Sequence, residues 1–149
     1  MDSAKIVPLR EDFLFPQQST EHSAGIDLFL QEDLPIAHHI HNNGFSPSPV
    51  ICMCLSLGFR IDNLPRNCWL EITNRSSNFR RGIDVRRGII DSDYRGTIFL
   101  QVSYPINCIL HRGERICQMV IHQKPDIDWE HVHVVKKRRG DVGLGSTGV

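Results

Sequence analysis

The chain has 149 residues, with 17 Lys plus Arg balanced by 17 Asp plus Glu, the size of one domain with one modest core. This balance gives no overall field toward nucleic acid or membrane, no apolar run approaches the roughly 20 residues that span a bilayer, and the start Met1-Asp2-Ser3-Ala4-Lys5 lacks the features of a signal peptide. Five cysteines, Cys52, Cys54, Cys68, Cys108 and Cys117, form an odd set without C-x-x-C spacing, which suits reduced thiols in an intracellular protein, cytoplasmic or nuclear, better than a disulfide framework or a zinc site.

Apolar residues come in short runs with closely spaced stops. The polar stretch from residue 37 to 49 reads as a surface loop, and its His38, His39 and His41 have no Cys or acid at ligand spacing. Val50 to Leu57, Trp69 to Thr73, Gly96 to Tyr104, Arg115 to His122 and Val132 to Val135 each predict a strand. Cys52 and Cys54, two apart, should share one strand face as packing residues. Ser76-Ser77-Asn78-Phe79-Arg80-Arg81 predicts one short helix, with capping residues first, cations late and Gly82 to end it. Gly82 to Gly96 reads as a hairpin broken at Arg86-Arg87-Gly88. Lys136-Lys137-Arg138-Arg139 reads as a solvated run, and the tail from Gly140 to Val149 holds four glycines, too many for a stable helix or strand alone. Regular turn signals without 3.6-residue periodicity predict an all-β barrel or sandwich. The expected division is a β-barrel domain over 1–139 and a flexible, glycine-rich arm over 140–149.

Taken alone, Asp91-Ser92-Asp93 reads equally as a solvated turn, and Ser76 as a plain helix cap. The strings around them carry more. Gly88-Ile89-Ile90-Asp91-Ser92-Asp93-Tyr94-Arg95-Gly96 is similar to the third of five motifs that define the trimeric dUTPases. Ala24-Gly25-Ile26-Asp27-Leu28 resembles the first, Asn74-Arg75-Ser76-Ser77 the second, Arg112-Gly113-Glu114-Arg115-Ile116-Cys117-Gln118-Met119 the fourth, and Arg139 to Gly148 the fifth. They stand in family order from residue 24 to 148.

The resemblance implies a dUTPase-like, distorted jelly-roll β-barrel or sandwich, a homotrimer with sites built from more than one chain, and hydrolysis of dUTP to dUMP and pyrophosphate with Mg²⁺. It assigns Asp91 as the base that activates water and Tyr94 as the ring under deoxyribose that excludes a 2′-hydroxyl. The backbone from about Ile83 to Ile90, Gly88 and Ile90 included, would read uracil. Arg75, Ser76, Ser77, Gln118 and Arg139 would bind phosphates, and Asp27 would hold Mg²⁺ through a water. Gly143, Leu144, Gly145, Ser146 and Thr147 would close over the nucleotide. Three departures stand out: Asn74 and Ser77 where many members have Pro and Gly, Val142 for a common glycine, and Leu144 for the Phe that stacks on uracil. Two alternatives remain, a non-catalytic interaction protein on this fold and the related dCTP deaminase class. Neither membrane nor direct nucleic-acid binding is expected.

Overall fold

The structure, a computed structural model, describes residues 3–35 and 50–133. His38, His39, His41, the 136–139 run, Arg139 and the whole arm from Gly140 lie outside the described residues. Ten strands form three antiparallel sheets. A two-stranded sheet pairs β1 (Lys5–Pro8) with β5 (Phe59–Asp62). A five-stranded sheet runs in the order β2 (Gln17–Gln18), β3 (Gly25–Phe29), β10 (Arg115–Gln123), β6 (Cys68–Thr73), β8 (Gly88–Ile90). A three-stranded sheet runs β4 (Val50–Ser56), β9 (Phe99–Pro105), β7 (Asp84–Val85). With a short 3-10 helix over Ser76–Arg81, the described residues form the expected all-β sandwich.

Strict alternation drives the layers together. Along β6, Cys68, Leu70 and Ile72 are buried while Trp69, Glu71 and Thr73 face outward; along β9, Leu100, Val102 and Tyr104 point inward. These side chains meet Leu28, Phe59, Ile61, Ile116 and Met119 in one core. Each such side chain, fully buried, contributes about 1.5–3 kcal/mol. The Tyr104 hydroxyl, deep in that core, donates to the Pro35 carbonyl at 2.9 Å, so its burial leaves no polar atom unpaired.

Several boundaries differ from the sequence expectation. The strand expected from Gly96 begins at Phe99. Val132 and His133 belong to no strand, and Val134 and Val135 lie outside the described residues. Cys52 and Cys54 do share a face, but it is the exposed one: in β4 the inward positions are Ile51, Met53 and Leu55, and the cysteines alternate with them. They line an open cleft of about 450 Å³ with Asp84, Arg86, Gln101 and Ser103. Strands β1, β2, β3 and β5 had not been read as such; β2 is two residues long and the others only four or five, too short for a clear period-2 signal.

The largest departure concerns Gly82 to Gly96. Its arms do not pair with each other. β7 pairs with β9 through Asp84↔Ser103 and Val85↔Val102, and β8 pairs with β6 through Leu70↔Ile90, Glu71↔Ile89 and Ile72↔Gly88. The second arm ends as a strand at Ile90, not at Gly96. Val85 is buried on its sheet, and each arm extends an existing sheet by two or three pairs, where an isolated two-stranded hairpin of the same length would be marginal. Among the described residues, no helix is long and apolar enough to cross a membrane.

Candidate active site

Three adjacent strands bring residues from distant parts of the chain together. On β10, Gln118 stands opposite Asp27 of β3 on one side and Thr73 of β6 on the other. A bulge between Arg115 and Cys117 sets this up. Ile116 and Cys117 are both buried, which alternation forbids unless an extra residue is inserted; beyond the bulge, Gln118 faces outward. Its side chain then crosses to β3, where a Cβ on Gly25 would fall against the Gln118 amide. Gly25 is therefore the space that Gln118 occupies. The Gln118 Nε2 donates to the Asn74 carbonyl at 2.9 Å.

Asp27 is only 6% exposed, and its charge is answered from three sides. Arg75 Nε donates to Oδ1 at 2.9 Å, Ser19 Oγ donates to Oδ2 at 2.9 Å, and Arg115 Nη1 lies 3.7 Å from Oδ2. Arg75 Nη1 also donates to the Arg115 carbonyl at 3.0 Å. The arginine is thus held flat, with its remaining donors directed away from these partners. Cys117, buried beside this pair, has its thiol pushed up by burial, which favours the neutral thiol.

The helix beginning was read as Ser76-Ser77-Asn78. Instead Arg75 is the cap residue, extended at φ −96° and ψ 142°, with no side-chain cap bond. Ser76 and Ser77 are exposed. Asn78 is buried and turned inward, where Nδ2 reaches the Ile116 carbonyl at 2.7 Å, so it cannot cap. Gly82 does end the helix, in the left-handed region at φ 66°.

Asp91 and Tyr94 stand elsewhere. Ser92 Oγ approaches the Arg66 carbonyl at 3.5 Å, which puts this turn at the N-terminal end of β6, whereas Gln118 binds Asn74 just past its C-terminal end. The length of β6 separates the two groups, five steps from Cys68 to Thr73, or about 17 Å at roughly 3.3 Å per step. Asp91 is exposed. Tyr94, 41% exposed, folds back so that its hydroxyl donates to the Thr97 carbonyl at 2.9 Å. A Cβ on Gly96 would lie 2.7 Å from the ring carbon Cζ, so glycine lets the ring lie back against the chain. Gly88 and Ile90 pair with β6. The cleft beside Cys52 contains none of Asp27, Arg75, Asp91, Tyr94 or Gln118.

A family model described as dUTPase matches residues 11–148. The chain belongs to the dUTPase family. Among its relatives, the deoxyuridine 5′-triphosphate nucleotidohydrolase of Dictyoglomus turgidum is 34% identical over 145 residues, covering 93% of each chain. The Gag-Pro polyprotein of mouse mammary tumor virus (strain BR6) is 35% identical over 131 residues, 87% of this chain. The chain spans only 14% of that polyprotein's length. Of solved structures, the dUTPase of Staphylococcus bacteriophage 80alpha with dUPNHPP matches over 100% of both chains at a TM-score of 0.74 and 18% identity. A mutant dUTPase from phage phi11 of S. aureus, described with a structural Mg(II) ion, matches over 89% of this chain and 97% of its own at 0.69 and 15% identity. At these identities the structural matches speak for the fold.

In and around the dUTPase motifs, sequence reasoning missed four contributors. Ser19 lies ahead of the first motif and gave no signal before its bond to Asp27 was seen. Arg115 was quoted within the fourth motif without a role. Asn74 was noted only as a departure from proline, and Asn78 only as a helix-start residue. Their partners, Ile83 and Ile116, are not neighbours in sequence, so no local pattern announced them.

Proposed function

We propose that the protein hydrolyses dUTP to dUMP and pyrophosphate, as a homotrimer whose sites combine residues from different chains. The observation that carries this reading is the split between β7 and β8. Each is the edge strand of its own sheet, so each keeps one unpaired edge, and Arg86-Arg87 joins them. A base slotted between these edges meets free main-chain N–H and C=O groups, which suit the polar edge of uracil and reject cytosine by leaving buried groups mismatched. The chain leaves this slot directly into Asp91 and Tyr94. The exposed ring of Tyr94 lies under the deoxyribose, with no space for a 2′-hydroxyl. Asp91 accepts the proton of a water that attacks the α-phosphorus in line with departing pyrophosphate, a contribution of about 10²–10⁴-fold. The remaining acceleration comes from positioning and charge neutralisation.

The phosphates are received by the remaining donors of Arg75, by Ser76 and Ser77, and by Gln118. The separation of about 17 Å along β6 supports an intersubunit site: Asp91 of one chain serves the Asp27–Arg75–Gln118 group of a neighbour. The arm, 140–149, closes over the nucleotide with Gly143, Leu144, Gly145, Ser146 and Thr147, and Arg139 pairs with the terminal phosphate.

Mg²⁺ fits only as a group carried by the substrate. Among the described residues no three His, Cys, Asp or Glu side chains form a ligating cluster. Asp27 already accepts two hydrogen bonds, and its remaining lone pairs suit a metal-bound water. When bound to the phosphates, Mg²⁺ supplies charge neutralisation of the leaving pyrophosphate.

Pyrophosphate release from dUTP with Mg²⁺ tests the activity, with dCTP, dTTP and UTP turned over far more slowly. A folded trimer without release would instead make this a non-catalytic interaction protein. Mixing tests the assembly. Asp91→Asn and Arg75→Ala chains, each inactive alone, should regain about a quarter of the wild-type activity when unfolded and refolded together, since each shared site draws its two halves independently. No regain would mean that one chain supplies both groups.

A further inference from the structure

We propose that Asn74 and Asn78 are positioning residues that fix the phosphate-receiving turn and couple it to Gln118. This inference rests on the reading above and concerns two residues to which that reading gives no part. Asn74 follows β6 directly, and both polar atoms of its side chain are bonded. Oδ1 accepts the backbone N–H of Arg75 at 2.9 Å and an Nδ2 hydrogen of Asn78 at 2.7 Å. Nδ2 donates to the Ile83 carbonyl at 3.3 Å, while the Asn74 carbonyl accepts Gln118 Nε2 at 2.9 Å. Asn78, 3% exposed, spends its second Nδ2 hydrogen on the Ile116 carbonyl at 2.7 Å, and its own carbonyl accepts Ile83 N–H at 3.1 Å.

The bonds to Ile83, Ile116 and Gln118 tie the turn to its surroundings, and those to Arg75 and Asn78 hold it together internally. The Asn78 bond to Ile116 anchors it at the bulge that turns Gln118 outward. The Asn74 bond to the Arg75 N–H sets the extended cap residue, whose guanidinium is in turn held by Asp27. The Asn74 carbonyl then fixes Gln118. Two phosphate contacts from different strands are thereby locked into one geometry. Without the pair, the Arg75 N–H, the Ile116 carbonyl and the Asn78 amide lose partners where water has little access, and the turn has to shift to satisfy them. Proline in this position constrains the backbone through its ring; here side-chain hydrogen bonds do the same work, and the turn remains dependent on an acceptor at position 74.

The test compares Asn74→Ala with Asn74→Asp, which keeps the shared acceptor. Steady-state kinetics on dUTP and competition by inorganic pyrophosphate are measured alongside thermal unfolding. Asn74→Ala should raise both KM and the pyrophosphate inhibition constant about tenfold, with kcat lowered less. Asn74→Asp keeps the acceptor but loses the donor to Ile83 and adds a charge beside the phosphates, so both constants should fall between those of wild type and alanine. Should Asn74→Ala not fold, Asn74→Ser carries the comparison: its hydroxyl still accepts the Arg75 N–H but does not reach Asn78, and about a threefold rise is expected. The proposal is overturned if a folded Asn74→Ala, or Asn74→Ser in its place, keeps wild-type constants, or if Asn74→Asp fails as badly as alanine. A wild-type protein that neither cleaves dUTP nor binds pyrophosphate would sink the functional reading itself, a distinct result.

Discussion

The two ends of β6 carry groups of opposite construction. At the C-terminal end, Asp27, Arg75, Asn74, Asn78 and Gln118 form a closed network in which each side chain is held by others from separate strands. At the N-terminal end, Asp91 and Tyr94 are exposed, and the bonds of Tyr94 run to near neighbours, its N–H to the Asp91 carbonyl and its hydroxyl to that of Thr97. Charge on a triphosphate is present before and after reaction, so donors for it gain from being fixed in advance. A carboxylate that activates water needs the substrate and a covering surface before its position matters. Among the described residues the first group is held by hydrogen bonds and the second lies open.

Removing Asp91 and Asp27 in turn should separate these ends. Asp91→Asn is expected to lower kcat about 10²–10⁴-fold while changing stability by no more than about 0.5 kcal/mol, as for an exposed residue. Undiminished turnover would remove Asp91 from the role of base. Asp27→Ala should do the reverse first, lowering stability by about 3 kcal/mol because it strands the Arg75 charge. That figure is at the low end for a broken ion pair, since the Arg75 side chain keeps 23% exposure. Denaturant unfolding reads it, and an unchanged midpoint would mean that the pair is not a structural unit.

Smaller effects sharpen the contrast. Leu144, outside the described residues, belongs to the arm that would cover the open end, and a Leu lacks the flat ring that matches a base. Leu144→Phe should lower KM for dUTP about tenfold, or roughly 1.4 kcal/mol of stacking, with kcat little changed. A KM that stays or rises means that the arm docks in another way. The smallest effect belongs to Glu114, near the closed network. Burial acts to raise its pKa, but the bond from Arg81 at 2.6 Å and the His111 backbone N–H outweigh burial and hold it below the ordinary value of 4.5. A depressed carboxylate stabilises the fold above that ordinary value, and the stabilisation disappears as pH falls through the folded value. Glu114→Gln should therefore cost less than about 1 kcal/mol at pH 7, and the difference from wild type should vanish in acid. A gap that persists at low pH would assign it to packing instead.

Much of the closed network was invisible in the linear chain for a physical reason. Asp27 and Arg75 are 48 residues apart, and Asn78 and Ile116 are 38 apart; their meeting depends on the β3–β10–β6 register. The Arg115/Cys117 bulge that exposes Gln118 likewise has no marker in Ile116-Cys117-Gln118-Met119. By contrast, β4, β6 and β10 were legible to within a residue, because side-chain alternation and turn residues act over only a few positions.

The sequence by itself thus determined the all-β class, the main strands, the short helix with its Gly82 stop, and the family strings from residue 24 to 148. Tertiary structure alone decided that β7 and β8 join different sheets, that Cys52 and Cys54 face outward, and that Asn74 and Asn78 bind the turn to β10. Alternation says which residues share a face; which strand lies alongside, and which face meets the core, follows only when all the ladders compete for partners at once.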